Sequence, residues 1–464
     1  MESRPIFAEL AAFACDAGMS KFPATVVDRV NWVVMDLIGS AYSALPGRGA
    51  QALWRYASDS GVEQASLWGT GRRVGAADAA LVNGALAYEV EFDDGNSLGG
   101  HWGSSSIPAI IALAEQGRVP AEKLVRAVVL AYEVADRISR PLSPRLLVEG
   151  VHFPGTMGAI AAVTGAAVMK GFQPEKLAAA LGHAALSPVA PYHPGHVGVD
   201  TKNLYSGWSN FCGIHFAALA DAGYSGAPDL LEAAQGLAAV LRWRGTVEEL
   251  RDRVLDGLGD SWAILRTYFK PFPCCRWLHA PVQGVLRLRA QHGLTCAQVA
   301  EIQVHAPQFL AMYATPGPYV EPIQAKYSLP FCVAAAMLLG KLDHLAFTSP
   351  NLEDARVLAL SENVRVELDE KLERRFPESY QTRTVIVTRD GAQYESVDIP
   401  PWGPEAPPRF DALARKFYRS MSLACGERIA EDWISYFRRG LLEDPNLERF
   451  FDLLSRSVIG VDLR

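Results

Sequence analysis

Apolar residues recur every three to four positions through most of the first 270 residues. Val27, Val30, Val34 and Ile38 share one helical face, which predicts a helix over 26–41, stopped by Leu45-Pro46-Gly47. The same spacing predicts helices over 76–90, 107–116, 121–138, 156–170 and 174–185, separated by Gly, Pro and Asp. Nothing before about residue 295 alternates well enough to predict a strand. Beyond it, 299–305 and 364–368 alternate with period two, and 382–388 and 393–397 flank Arg389-Asp390-Gly391, a hairpin signature. Helical spacing at 280–292 and 329–339 is interleaved with these strands. The Pro-rich stretch 400–408 reads as a rigid linker, and from Phe410 the pattern is helical again. The expected fold is mainly α: a large all-helical domain built from both chain ends, 1–268 and 409–464, and a smaller α+β domain, 269–408.

Composition narrows the classes. The chain has 464 residues, 49% hydrophobic and 20% charged, a globular balance with room for two or three cores. Lys plus Arg total 44 against 51 Asp plus Glu, so the net charge is -7 and a nucleic-acid partner is not expected. No run reaches the roughly 18–20 apolar residues needed to span a bilayer, so no membrane partner is expected. The start, Met-Glu-Ser-Arg-Pro, lacks the layout of a secretory signal, and seven cysteines without regular spacing form no disulfide framework. A cytoplasmic, reduced location is expected.

Four clusters carry candidate chemistry. In the first, a helix runs into Glu91-Phe-Asp-Asp94, then a Gly-rich turn, then His101 before the next helix; its bland alternative is a frayed acidic helix end beside an exposed His. The second is Val151-His152-Phe-Pro-Gly-Thr156, with Thr156 as an N-cap. In the third, His193 and His196 stand in a Pro-Gly loop without further ligands at metal spacing, so no metal is expected; Lys202 follows, either a site residue or a surface lysine. The fourth, Lys270-Pro-Phe-Pro-Cys-Cys-Arg-Trp-Leu-His279, is a cationic strip of Lys270, Arg276 and His279. Walker, GxSxG and HExxH signatures are missing, and Gly69-Thr-Gly71-Arg-Arg-Val-Gly75 imitates a dinucleotide fingerprint only in part.

Taken in order, Asn83-Gly-Ala-Leu-Ala-Tyr-Glu-Val-Glu-Phe-Asp-Asp94, His101 and Ile107-Pro-Ala-Ile-Ile-Ala-Leu-Ala-Glu115 resemble the MmgE/PrpD family. So do 151–156, Lys202 with Gly207, Gly223-Tyr-Ser-Gly-Ala-Pro228, Lys270-Pro-Phe-Pro-Cys-Cys275 with His279, and Ala325-Lys-Tyr-Ser-Leu-Pro330. That family includes 2-methylcitrate dehydratase, cis-aconitate decarboxylase and iminodisuccinate epimerase. The resemblance implies a helical domain with an α+β lid, usually a homodimer, and a site between the two domains that uses no metal or organic cofactor. By position it makes His101, His152, Lys202 and Glu91 catalytic, and Asp94, Lys270, Cys275 and His279 substrate-binding.

This chain also departs from the family pattern. Glu91 stands for the usual Asp, Gly95 for Thr, and Trp102-Gly103 for Pro-Ser, while the decarboxylases carry His in place of Cys275 and Tyr in place of Phe331. These changes turn the expectation away from cis-aconitate decarboxylation and from the standard methylcitrate substrate. The expected activity is a hydro-lyase on a small di- or tricarboxylic acid, through a carbanion next to a carboxylate. One histidine takes the α-proton and the other serves as acid, with Glu91 and Asp94 orienting the rings. An epimerase or a decarboxylase on a related acid is the alternative, and a carboxylate-binding protein without turnover is the third reading.

Overall fold

The computed structural model describes residues 4–57, 61–96, 100–143, 146, 149–187, 189–193 and 197–459. The chain divides into two compact units. One comprises Met1–Pro191, Asn203–Phe269 and Pro408–Arg464, the other Tyr192–Lys202 and Lys270–Pro407. The fold is mainly α with a small sheet-containing unit. No described helix is long and apolar enough to cross a membrane.

In the larger unit, helices Ala76–Glu89, Trp102–Gly117, Ala121–Ser139, Phe153–Lys170 and Leu204–Asp221 pack on one another, and helix Ala24–Ala44 packs against Phe410–Cys425. Small residues set the spacing. A β-carbon on Gly207 would lie 2.5 Å from the Leu81 carbonyl oxygen, so helices 76–89 and 204–221 meet backbone to backbone. Helix Trp102–Gly117 begins five residues earlier than its apolar spacing predicts, because Gly103 and Ser104–Ser106 hide the pattern although all four are buried. Pro108 inside this helix has no N–H for the Ser104 carbonyl. Asn210 repairs the ladder: its Nδ2 donates to that carbonyl at 2.7 Å, and its Oδ1 accepts the Ala109 N–H at 2.9 Å.

Strands do occur before residue 295, against the expectation. β1 (Ala65–Leu67) and β2 (Arg72–Val74) form a hairpin, and β3 (Gly95–Asn96) pairs antiparallel with β4 (Thr267–Tyr268). Two or three residues are too few for alternation to register. Two glycines of the partial dinucleotide motif, Gly69 and Gly71, belong to the β1–β2 turn with φ of +82° and +69°, and the third, Gly75, is the N-cap of helix Ala76–Glu89.

The smaller unit is built on a four-stranded sheet ordered β6 (Val364–Leu368), β5 (Val299–Ala306), β7 (Thr382–Thr388), β8 (Gln393–Asp398). β5 and β6 run parallel, and the other two pairings are antiparallel. Gly391, at φ +89°, turns the β7–β8 hairpin. Helix His279–His292 packs on β7 and β8 and on helix Leu329–Leu339.

Candidate active site

The acidic cluster of the larger unit follows helix Ala76–Glu89. Glu91 takes a left-handed conformation, φ +55°, which reverses the chain and leads into β3. Glu91, Asp93 and Asp94 are all buried, and His101 is 9% exposed, so the frayed-end reading does not hold. His101 is the N-cap residue of helix Trp102–Gly117. Its Nδ1 lies 2.9 Å from Asp93 Oδ2. A carboxylate accepts, so Nδ1 carries the proton and, in the neutral ring, Nε2 is left as the basic nitrogen.

His152 stands at the same place on another helix, as N-cap of Phe153–Lys170, with the opposite assignment. Its Nδ1 accepts the Gly155 backbone N–H at 3.2 Å, so the neutral ring carries its proton on Nε2. That Nε2 is 3.0 Å from Tyr88 Oη, to which it donates. Tyr88 joins the two histidines: its ring meets His101 edge-on, with centroids 5.0 Å apart. Tyr205 flanks the His152 ring at 4.3 Å, and Tyr268 stands edge-on to His101 at 6.4 Å. Thr156 is not the N-cap the sequence suggests. It lies one turn into the helix, donating to the His152 carbonyl at 3.0 Å and accepting the Ala190 N–H at 3.0 Å.

The carboxylate on His101 is therefore Asp93, where the sequence pointed to Glu91 and Asp94. Asp94 turns the other way and accepts from Tyr132 Oη at 2.7 Å. Burial holds the Asp94 carboxyl well above the usual carboxylate range; the Tyr132 hydrogen bond opposes this, and neighbouring Asp93 and Asp36 add to it. Burial likewise pushes Tyr132 up. Gly103 makes room for this pair, since a β-carbon there would lie 2.2 Å from Asp94 Oδ1. Gly95 is equally constrained: a β-carbon would lie 2.4 Å from Tyr268 Oη. Two positions where this chain departs from the family pattern thus have local reasons for glycine.

A cation with no signal in the sequence anchors the turn. Lys416 Nζ, 7% exposed on helix Phe410–Cys425, donates to the Phe92 carbonyl at 2.6 Å and pairs with Asp36 at 2.7 Å. It also sits 3.9 Å from the centre of the Phe92 ring. Asn96 ties down the turn's far end, donating through Nδ2 to Asp136 at 3.0 Å and to the Ala263 carbonyl at 3.1 Å.

The remaining candidates belong to the smaller unit. Lys202 and Lys270 are both 0% exposed, so Lys202 is not a surface lysine. Lys202 Nζ lies 5.9 Å from the centre of the Tyr327 ring, a cation–π contact. Cys275 is buried, and its N–H donates to the Lys326 carbonyl at 3.0 Å. Burial pushes Tyr313 and Tyr380 up, and Cys275 adds to both shifts. His279 Nε2 donates to the Cys274 carbonyl at 3.2 Å, which braces the strip. Arg276 holds the Pro400 and Pro401 carbonyls, so its charge serves the linker. Phe331 is wholly buried, with Tyr319 and Phe347 around it. His196 lies outside the described residues. Among the described residues no three His, Cys, Asp or Glu side chains converge as a metal site.

Comparison with known proteins gives the family. Residues 8–250 match the MmgE/PrpD N-terminal domain and 272–435 the MmgE/PrpD C-terminal domain; the chain belongs to the MmgE/PrpD family. Curated relatives include the cis-aconitate decarboxylase of Aspergillus terreus, 25% identical over 306 residues. A cis-aconitate decarboxylase-like protein of Aspergillus oryzae is 25% identical over the same length. The match spans 62% of this chain and 61% of the A. terreus enzyme, less than two thirds of either.

Proposed function

We propose that this protein is a lyase which, with its own side chains, breaks a bond next to a carboxylate of a small di- or tricarboxylic acid through a carbanion. The observation that carries this reading is the buried Asp93–His101 pair, which leaves His101 Nε2 as the basic nitrogen. His101 takes the α-proton. Negative charge then builds on the adjacent carboxylate, where a cation must offset it, and Lys202 and Lys270 are the candidates that the family resemblance implies. The Tyr88 O–H supplies the acid side of the reaction, and the His152 Nε2–H donated to Tyr88 Oη stabilises the phenolate left behind.

Within this class we favour a hydro-lyase resembling 2-methylcitrate dehydratase. Cys275 and Phe331, in place of the His and Tyr of the decarboxylases, support it over decarboxylation. Decarboxylase activity is the second reading, favoured by the names of the relatives. Epimerisation shares the first proton abstraction and differs in what the carbanion does next. The protein is expected to act as a homodimer.

The test is incubation in D2O with 2-methylcitrate, citrate, cis-aconitate and iminodisuccinate, followed by NMR. Loss of water from one acid, with deuterium entering its α-carbon, is the expected result. Loss of CO2 would select the second reading. Ligand-dependent melting without product or exchange would replace the enzyme with a carboxylate binder.

A further inference from the structure

The Asp93–His101 pair sits on a turn that is also held from far along the chain. Glu91 adopts φ +55°, uncommon for a residue with a side chain, and such a conformation persists only where the surroundings fix it. One such group comes from more than 320 positions along the chain. Lys416 Nζ takes the carbonyl of Phe92, the residue immediately before Asp93, at 2.6 Å, and Asp36 of helix Ala24–Ala44 holds that same ammonium at 2.7 Å. Asp36 and Lys416 are 2% and 7% exposed.

We propose that Lys416 is a positioning residue for the proposed base: it fixes the turn that aims Asp93 at His101, and its charge keeps the pair in its working ionisation. This rests on the function proposed above. The physical basis is the crowd of charge around the turn. Asp36 and Arg29 come from helix Ala24–Ala44, Glu91, Asp93 and Asp94 from the turn, and Tyr132 and Asp136 from helix Ala121–Ser139. Tyr88, His152 and Tyr268 stand around His101, and Tyr205 stands beside His152. Carboxylates outnumber cations here, and Lys416 lowers the proton affinity of Asp94, as a cation in a poorly solvated site must. Removing it takes a positive charge from beside the turn, which makes the carboxylates there hold protons more tightly. Removing the charge of Asp36 does the reverse.

The opposite signs make the test. In the Lys416→Met variant the acid limb of the turnover profile moves to higher pH by roughly half a unit to one unit. In Asp36→Asn it moves to lower pH, in the double variant it returns close to the wild-type position, and Lys416→Arg retains most of the wild-type profile. A staple between the two helices would lower the melting temperature in Lys416→Met and leave the limb in place. The His101 ring resonances, followed by NMR against pH without substrate, should move with the same two signs. If Lys416→Met and Asp36→Asn move the His101 titration in the same direction, or not at all, the positioning role is wrong. This readout needs no substrate: a wild type inert toward every acid tested would overturn the proposed function, while the titration would still decide the role of Lys416. Should Lys416→Met fail to fold, Asp36→Asn and Lys416→Arg carry the test.

Discussion

His101 and His152 occupy equivalent places, each the N-cap of a long buried helix, and their protons are assigned oppositely. At His101 a carboxylate takes Nδ1–H and leaves Nε2 basic; at His152 a backbone N–H takes the Nδ1 lone pair and leaves Nε2 as a donor. Neither difference is visible in the residue type. A ring nitrogen's role is set by what the other nitrogen touches, and here one neighbour is an acid and the other a peptide group. Tyr88, reached by both rings, links the basic half to the acidic half.

The sharpest way to break this comparison is to remove the base. His101→Ala should lower α-deuteration in D2O by roughly 10²- to 10⁴-fold, and Asp93→Asn should approach that loss because an amide no longer selects the Nδ1–H form. Rates within a few-fold of wild type in both variants would move the base elsewhere. The acidic half comes next. Tyr88→Phe and His152→Ala should cost product formation about 10²-fold while slowing α-deuteration much less, since proton removal precedes their step. Equal losses in both assays would merge the two roles.

Gly103→Ala should then destabilise the protein by about 1–3 kcal/mol in denaturant titration, since its β-carbon meets the Asp94–Tyr132 pair. A glycine in the first turn of the second helix offers a control: Gly155→Ala meets Ala190 and Tyr205 and should disturb the His152 half first. The smallest effect concerns pH. The Asp94 carboxyl is raised in the folded protein by burial, so the folded state holds its proton over a range where the unfolded chain has lost it. The stability this contributes is present below about pH 4, the usual Asp value, and is lost as pH rises toward the folded value. Asp94→Asn removes the effect, so its melting temperature relative to wild type should rise with pH over that range. A difference that stays flat would mean the carboxyl is not raised.

Much of the fold was legible because long amphipathic and small-residue helices repeat their pattern over many turns, as in Ala24–Ala44 and Ala121–Ser139. The sheet of the smaller unit was legible from alternation and from the Arg389-Asp390-Gly391 turn. The brief pairings β1–β2 and β3–β4 carry too few residues to alternate. Helix Trp102–Gly117 was legible only from Ile107, because its first turn is small and polar yet buried. In the candidate site, His101 and His152 stood out as histidines next to glycine turns. The choice of Asp93 over Asp94 did not, since neighbouring residues point in opposite directions and the left-handed turn at Glu91 decides which one faces the ring. Lys416 and Asp36 were illegible, being joined across the whole chain by a contact that no local spacing encodes. Tyr88 stood inside a recognised segment, where no feature of the sequence marked it for a role of its own.

The opposed proton assignment is the central claim, and long-range 1H–15N correlation spectra of the two histidine rings near neutral pH test it most directly. The predicted result is an Nδ1–H pattern for His101, lost in Asp93→Asn, beside an Nε2–H pattern for His152 that changes in Tyr88→Phe. An Nε2–H pattern at His101, or the same pattern on both rings, would contradict the account.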